Sequence, residues 1–183
     1  MNNKDKIMMV FKQLMNRTSL ERISVKTIME KAQLPRTEFY RYFKDKYDLM
    51  VYVYTSSIEK IIRNDQNISQ KDITLACYRY MYQKKDFFSQ IVRYKKQNSF
   101  LQFLNDYSYK ISLNSILASY NMKELDFDLE CSLKMFCAGS THLVEYWLEN
   151  GLVNPPEQMA EIVDRNMPLP LKKYLDGAKI MLD

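Results

Sequence analysis

Apolar residues recur three and four positions apart along most of the chain, the spacing of an α-helix with one buried face. Residues 4–15 place Ile7, Val10, Phe11 and Leu14 on one side, and a loop over 16–22 tucks Leu20 and Ile23 inward. Ser24 then stands where a helix N-cap is wanted, because its hydroxyl can accept from an orphan N–H of the first turn. Val25, Ile28, Met29 and Ala32 share the following face. Gln33-Leu34 forms a tight turn. Pro35 suits the first position of a new helix, where its missing N–H costs nothing. That helix is a short rod of about two turns running to Lys44, with Phe39 and Phe43 on its inner side. Asp45 caps the next helix, with Asp48 in the capping-box position.

The fourth helix, over 46–63, carries Leu49 or Met50, Val53, Tyr54, Ile58, Ile61 and Ile62 on more than one side, as a helix lying between two units would. A polar break at 64–71 precedes further helices over about 72–83, 86–94 and 99–120. The helix over 128–149 has two apolar stripes. One holds Leu129, Leu133, Phe136, Ser140, Leu143 and Trp147; the other holds Cys131, Met135, Ala138, His142 and Tyr146. Two stripes need two covers, and a second subunit is a natural second one. Gly151 reads as a C-terminal stop. Asn154-Pro155-Pro156-Glu157 opens a helix to about Asn166 with Met159, Ile162 and Val163 on its apolar side. The tail, 167–183, carries enough apolar residues for one more helix, with no evident role.

Composition sharpens this into an all-α expectation. Only 3 Gly and 5 Pro occur in 183 residues, and no Gly precedes Gly139, which is hard to reconcile with hairpins. The net charge of +5 is unevenly placed. Residues 1–50 hold 11 Lys+Arg against 6 Asp+Glu, and the remainder holds 16 of each. All of the formal excess therefore lies at the N-terminal end, as in a nucleic-acid module joined to a neutral partner domain, or on a solvated basic face. Cys77, Cys131 and Cys137 lack metal or redox spacing, and an odd number in apolar surroundings suggests reduced thiols in a cytoplasmic protein. No run approaches the roughly 20 apolar residues of a membrane span. Catalysis finds little support. The one histidine, His142, sits mid-helix, and there is no Gly-rich phosphate loop, HExxH or paired carboxylate motif. No catalytic residue, metal or cofactor is expected.

The surface of the Pro35–Lys44 rod decides between two readings. Arg36, Thr37, Tyr40, Arg41, Tyr42 and Lys44 make it a face of donors and cations with Glu38 as its one acid. It is either a charged surface helix or the second member of a helix-turn-helix that enters the DNA major groove. The run Thr-Ile-Met-Glu-Lys-Ala-Gln-Leu-Pro-Arg-Thr-Glu-Phe-Tyr-Arg-Tyr-Phe-Lys-Asp-Lys-Tyr-Asp-Leu, from Thr27 to Leu49, resembles the DNA-binding domain of TetR-family transcriptional regulators. Thr37 to Lys46 resembles that family's recognition helix and the turn into its fourth helix. The chain departs from the family in carrying Gln33 where Gly is usual. Trp147-Leu148-Glu149-Asn150-Gly151, followed by Pro156-Glu157, is similar to the C-terminal domain of TetR-like regulators of Gram-positive bacteria.

The resemblance implies a three-helix DNA-binding domain over 1–50, joined by the fourth helix to a ligand-binding and dimerisation bundle over 64–183. Arg36 and Thr37 are the base-edge candidates, since arginine can bind guanine bidentately and a threonine methyl can touch thymine. Tyr40, Arg41, Tyr42 and Lys44 are candidates for phosphates, the two tyrosines being alternatively packing residues. Lys26 and Thr27 are placed near the DNA backbone. Lys46 resembles the family's phosphate-contacting lysine, the alternative being a helix-surface lysine. Family members commonly bind an inducer among the C-terminal helices. Tyr78, Met81, Phe100, Phe103, Tyr107, Met135 and Phe136 are the candidate lining, if they are not simply an aromatic core. His142, Tyr146, Trp147, Met159, Ile162 and Val163 are the candidate dimer interface. The implied protein is a homodimeric, cytoplasmic regulator of double-stranded DNA at a palindromic operator. It would be a repressor released by a small molecule, an activator, or a helical dimeric module that no longer binds an operator.

Overall fold

The computed structural model describes residues 2–64, 68–91 and 100–182, and every regular element among them is helical. In chain order these are α1 (Asn3–Met15), a 3-10 turn (Leu20–Arg22), α2 (Val25–Ala32), α3 (Arg36–Phe39) and α4 (Lys46–Asn64). They are followed by α5 (Gln70–Gln83), α6 (Lys85–Ile91), α7 (Phe100–Ser119), α8 (Phe127–Glu149), α9 (Pro156–Arg165) and α10 (Leu169–Gly177). Part of the polar break (65–67) and the expected helix ends at 92–94 and 99 lie outside the described residues. No helix among the described residues is long and apolar enough to cross a membrane.

Side-chain caps set several of the N-terminal boundaries. Asn2 Oδ1 accepts from the Asp5 N–H at 2.8 Å and opens α1. Asp126 does the same for α8 through the Leu129 N–H. α5 begins at Gln70, ahead of the expected start, because Ser69 and Asp72 form a reciprocal capping box. The Trp147-to-Gly151 stop also holds. Gly151 has φ +75, Leu152 follows at φ 56, and the Leu152 N–H reaches back to the Trp147 carbonyl at 2.9 Å.

One hydrophobic cluster runs unbroken from Ile7 in α1 to Val163 in α9. α4 lies within it. Tyr52 meets Phe43 of the N-terminal unit at 5.5 Å, while Tyr54 meets Tyr80, Phe88, Phe100 and Phe103 edge-on. The α1–α6 contact adds a second link. The rings of Phe11 and Phe87 cross at 89°, and Lys84 Nζ donates to Asn16 Oδ1 at 2.6 Å.

The tail has a structural role that its sequence did not disclose. α10 packs on α7 and α8 and buries Leu171 and Leu175 in a second cluster with Ile116, Leu129, Leu133, Cys137 and Met167. Beyond it the chain is tied to α7. The Lys179 N–H donates to Ser119 Oγ at 2.8 Å and the Met181 N–H to Ser115 Oγ at 2.9 Å.

Candidate nucleic-acid interface and effector cavity

The helix-turn-helix is built as the periodicity indicates. Ser24 Oγ accepts from the Thr27 N–H at 3.0 Å and starts α2. Gln33 ends it in the left-handed region (φ 52, ψ 45), taking a turn usually given to Gly. Pro35 is the N-cap residue of α3 rather than its first helical residue, and α3 itself spans only four residues before the chain turns through Tyr40 to Tyr42. The rod is thus one turn of helix and a bend, shorter than expected. Its anchoring is as expected: Phe39 is wholly buried and Phe43 is 3 % exposed.

The outer side is open. Arg36, Thr37, Tyr40, Arg41, Tyr42 and Lys44 are all exposed, with Tyr40 at 52 %. Arg36 Nη2 donates to Tyr40 Oη at 3.3 Å, so guanidinium and phenol form one edge of the face. Glu38, the single acid here, organises the other edge. It accepts from Asn3 Nδ2 at 3.0 Å and from Tyr42 Oη at 3.1 Å, and pairs with Arg41 at 3.3 Å. The Asn3 hydrogen bond is the main reason that its carboxyl is held below the usual range, and donation to Glu38 pushes the Tyr42 phenol up. The i,i+3 and i,i+4 spacings to Arg41 and Tyr42 were visible in the sequence; Asn3, 35 residues away, was not. On α2, Lys26 is exposed and lies 3.8 Å from Glu30, while Thr27 is half-buried with its hydroxyl 2.9 Å from Ser24 Oγ.

Lys46 is engaged within the protein. Its ammonium donates to the carbonyls of Leu20 at 2.7 Å, Ile23 at 2.9 Å and Glu21 at 3.4 Å. These carbonyls end the Leu20–Arg22 turn, and the ammonium satisfies them from within the protein. Lys46 fixes α4 to the approach to α2.

The bundle holds a cavity of about 110 Å³ between α5, α7 and α8, with α4 and α9 contributing Tyr54 and Val163. Tyr78, Met81 and Phe136 line it as expected. Phe100, Phe103, Tyr107 and Met135 do not. Phe100 and Phe103 pack against Tyr54. Tyr107 stacks on Phe103 at 5.3 Å and its hydroxyl reaches Glu59 Oε1 at 3.4 Å. Met135 faces outward, 74 % exposed. α7 meets the cavity instead through Leu104 and through Ser108 and Ser112, and the two small serine side chains leave the space that aromatic rings would fill. Cys77 and Cys137 also line it, and burial pushes their thiols up to about 11 and about 12.

The candidate dimer residues divide. Trp147, Met159 and Val163 belong to the protomer's own core. The Trp147 ring packs edge-on against Tyr78 at 5.1 Å and its indole N–H donates to the Asn154 carbonyl at 2.8 Å. They are enclosed because α9 lies along α5, with Arg79 paired to Glu157 at 2.9 Å across the contact. Ile162 is half-buried, and His142 and Tyr146 remain exposed on the second stripe of α8 beside Met135 and Ala138.

Comparison with known proteins agrees with this architecture. Residues 69–168 match the TetR-type family model described as "Transcriptional regulator C-terminal region". A search of curated proteins gave no match. The fold is similar to the solved structure of "Dihydroxyacetone kinase operon activator DhaS", with a TM-score of 0.67 and 19 % sequence identity over 94 % of this chain and 98 % of that one.

Proposed function

The chain belongs to the TetR-family transcriptional regulators, a non-enzymatic family, and from that premise we propose that it binds a palindromic operator as a homodimer and is released by a small molecule held in the bundle cavity. The observation that carries the DNA reading is the open Arg36–Tyr40–Lys44 face, held from behind by Phe39 and Phe43. Arg36 and Thr37, at the start of α3, read base edges; Tyr40, Arg41, Tyr42, Lys44 and Lys26 hold phosphates. Glu38 does not touch DNA but sets the positions of Arg41 and Tyr42.

Pairing uses the outward stripe of α8, where Met135, Ala138, His142 and Tyr146 lie uncovered, together with Ile162 of α9. Two heads so joined address major grooves about 34 Å apart. The protein acts in the cytoplasm, and α4 carries the signal, since Tyr54 lines the cavity while Tyr52 meets Phe43 of the head. An effector works only by binding one head spacing better than the other.

A salt series of binding to the DNA upstream of its own gene tests this reading. A slope of several units in log affinity against log salt is expected. Arg36→Ala relaxes sequence preference, whereas Lys44→Met weakens all sequences alike. A flat slope refutes operator binding. The operon activator named for the similar structure favours a second reading, in which the same head recruits transcription instead of blocking it. Deleting the gene raises transcription of its target if the protein represses and lowers it if the protein activates.

A further inference from the structure

The cavity wall has a chemical signature narrower than "small molecule". Sixteen residues line it, and none of these is Asp, Glu, Lys, Arg or His. Tyr78 is 2 % exposed, and its hydroxyl is fully buried without a hydrogen-bond partner among the described residues. A buried hydroxyl left unpaired is rare in a folded protein and is costly. The floor of the cavity is apolar, with Ile73, Met81, Leu104, Phe136 and Val144, while Ser108, Ser112, Ser140 and Thr141 supply neutral hydroxyls. Its volume of about 110 Å³ is of the same order as the roughly 150 Å³ apolar cavities that admit a benzene ring.

We propose that the effector is an uncharged molecule of about single-ring size, with one oxygen that accepts a hydrogen bond from Tyr78. The proposal rests on the cavity being the effector site. A carboxylate or ammonium would leave water for a wall that offers no opposite charge, and so is rejected. A purely apolar ring fits the floor but leaves the Tyr78 hydroxyl as it was. A ring bearing a hydroxyl or carbonyl satisfies both. The raised cavity thiols remain protonated at neutral pH, so they add no charge and do not act as nucleophiles.

Four probes of nearly equal shape separate these cases: toluene, benzyl alcohol, benzoate and benzylammonium, titrated into the full-length protein by calorimetry and ligand-observed NMR. Benzyl alcohol is expected to bind roughly threefold to tenfold more tightly than toluene, the size of one neutral hydrogen bond. Benzoate and benzylammonium should bind roughly 100-fold more weakly than benzyl alcohol. Tyr78→Phe removes an oxygen that has no partner, so the variant should fold, retain toluene and lose the preference for the alcohol. Comparable binding of either ion overturns the proposal while leaving the effector cavity standing. A preference that survives in Tyr78→Phe overturns the anchor. If none of the four binds, the single-ring proposal falls, while the operator-binding reading, tested by the salt series, is unaffected.

Discussion

Replacing Lys46 with methionine separates two roles for one lysine. Methionine keeps most of the stem and removes the ammonium, leaving the carbonyls of Leu20, Glu21 and Ile23 without their donor. Hydrogen bonds to a charged group contribute about 1.5–3 kcal/mol, and unpairing buried acceptors costs a comparable amount. Lys46 is only half-buried, so water replaces part of what is lost. A net destabilisation of about 2 kcal/mol follows, which for a chain of this size is a fall in Tm of roughly 4–8 °C. Operator affinity, measured below the transition where the variant is folded, should keep its salt slope. A lysine that neutralised a phosphate would behave in the opposite way. Its loss would make the slope shallower by about 0.9 for each contact removed and leave the stability within about 0.5 kcal/mol of the parent. The assays are thermal unfolding by circular dichroism and fluorescence anisotropy of labelled DNA from 50 to 300 mM salt (roughly the range over which counterion release is resolved). Lys44→Met, at an exposed position, is the control and should show the phosphate pattern. An unchanged Tm with a shallower slope for Lys46→Met would refute the capping role.

Other substitutions test the remaining parts. Gln33→Gly relieves a left-handed residue at φ 52 and should stabilise the head by about 1 kcal/mol, read as a higher denaturant midpoint; a lower midpoint contradicts the turn geometry. Phe39→Ala empties a site with no solvent exposure and should cost about 3–5 kcal/mol, abolishing DNA binding while the bundle remains helical; DNA binding at parental strength would contradict the anchoring. Cys77 and Cys137 have folded values raised above the ordinary thiol value of 9. Their contribution to stability is therefore complete below pH about 9 and lost as pH rises towards 11 and 12. Urea midpoints at pH 8 and pH about 10.5 should differ less in the Cys77→Ala, Cys137→Ala double variant than in the parent; equal losses would contradict the burial argument.

The parts of this protein legible from sequence were those written in local periodicity. The faces of α1, α2 and α4 and the buried pair Phe39 and Phe43 follow from spacings within a few turns. Features that depend on distant partners were not legible. Lys46 looks like a surface cation in any window of sequence, and only the fold brings Leu20 and Ile23 to it. Trp147 and Met159 share the apolar character of interface residues, but α9 folds back on α5 and encloses them. The cavity was sought among the largest side chains, whereas space remains where side chains are small. α7 fills the core with Phe100 and Phe103 and faces the cavity with Ser108 and Ser112. Two turns of helix were expected for α3, but the chain bends after Phe39, where Tyr40 closes the helix.

Hydroxyl-radical footprinting of the DNA upstream of the gene tests the central claim most directly, because it reads position as well as affinity. Two protected tracts about 34 Å apart, related by two-fold symmetry and both lost in an Arg36→Ala, Lys44→Met variant that remains folded, are expected. Uniform protection that ignores sequence, or a pattern unchanged in that variant, would place the DNA contact elsewhere than on the Arg36–Tyr40–Lys44 face.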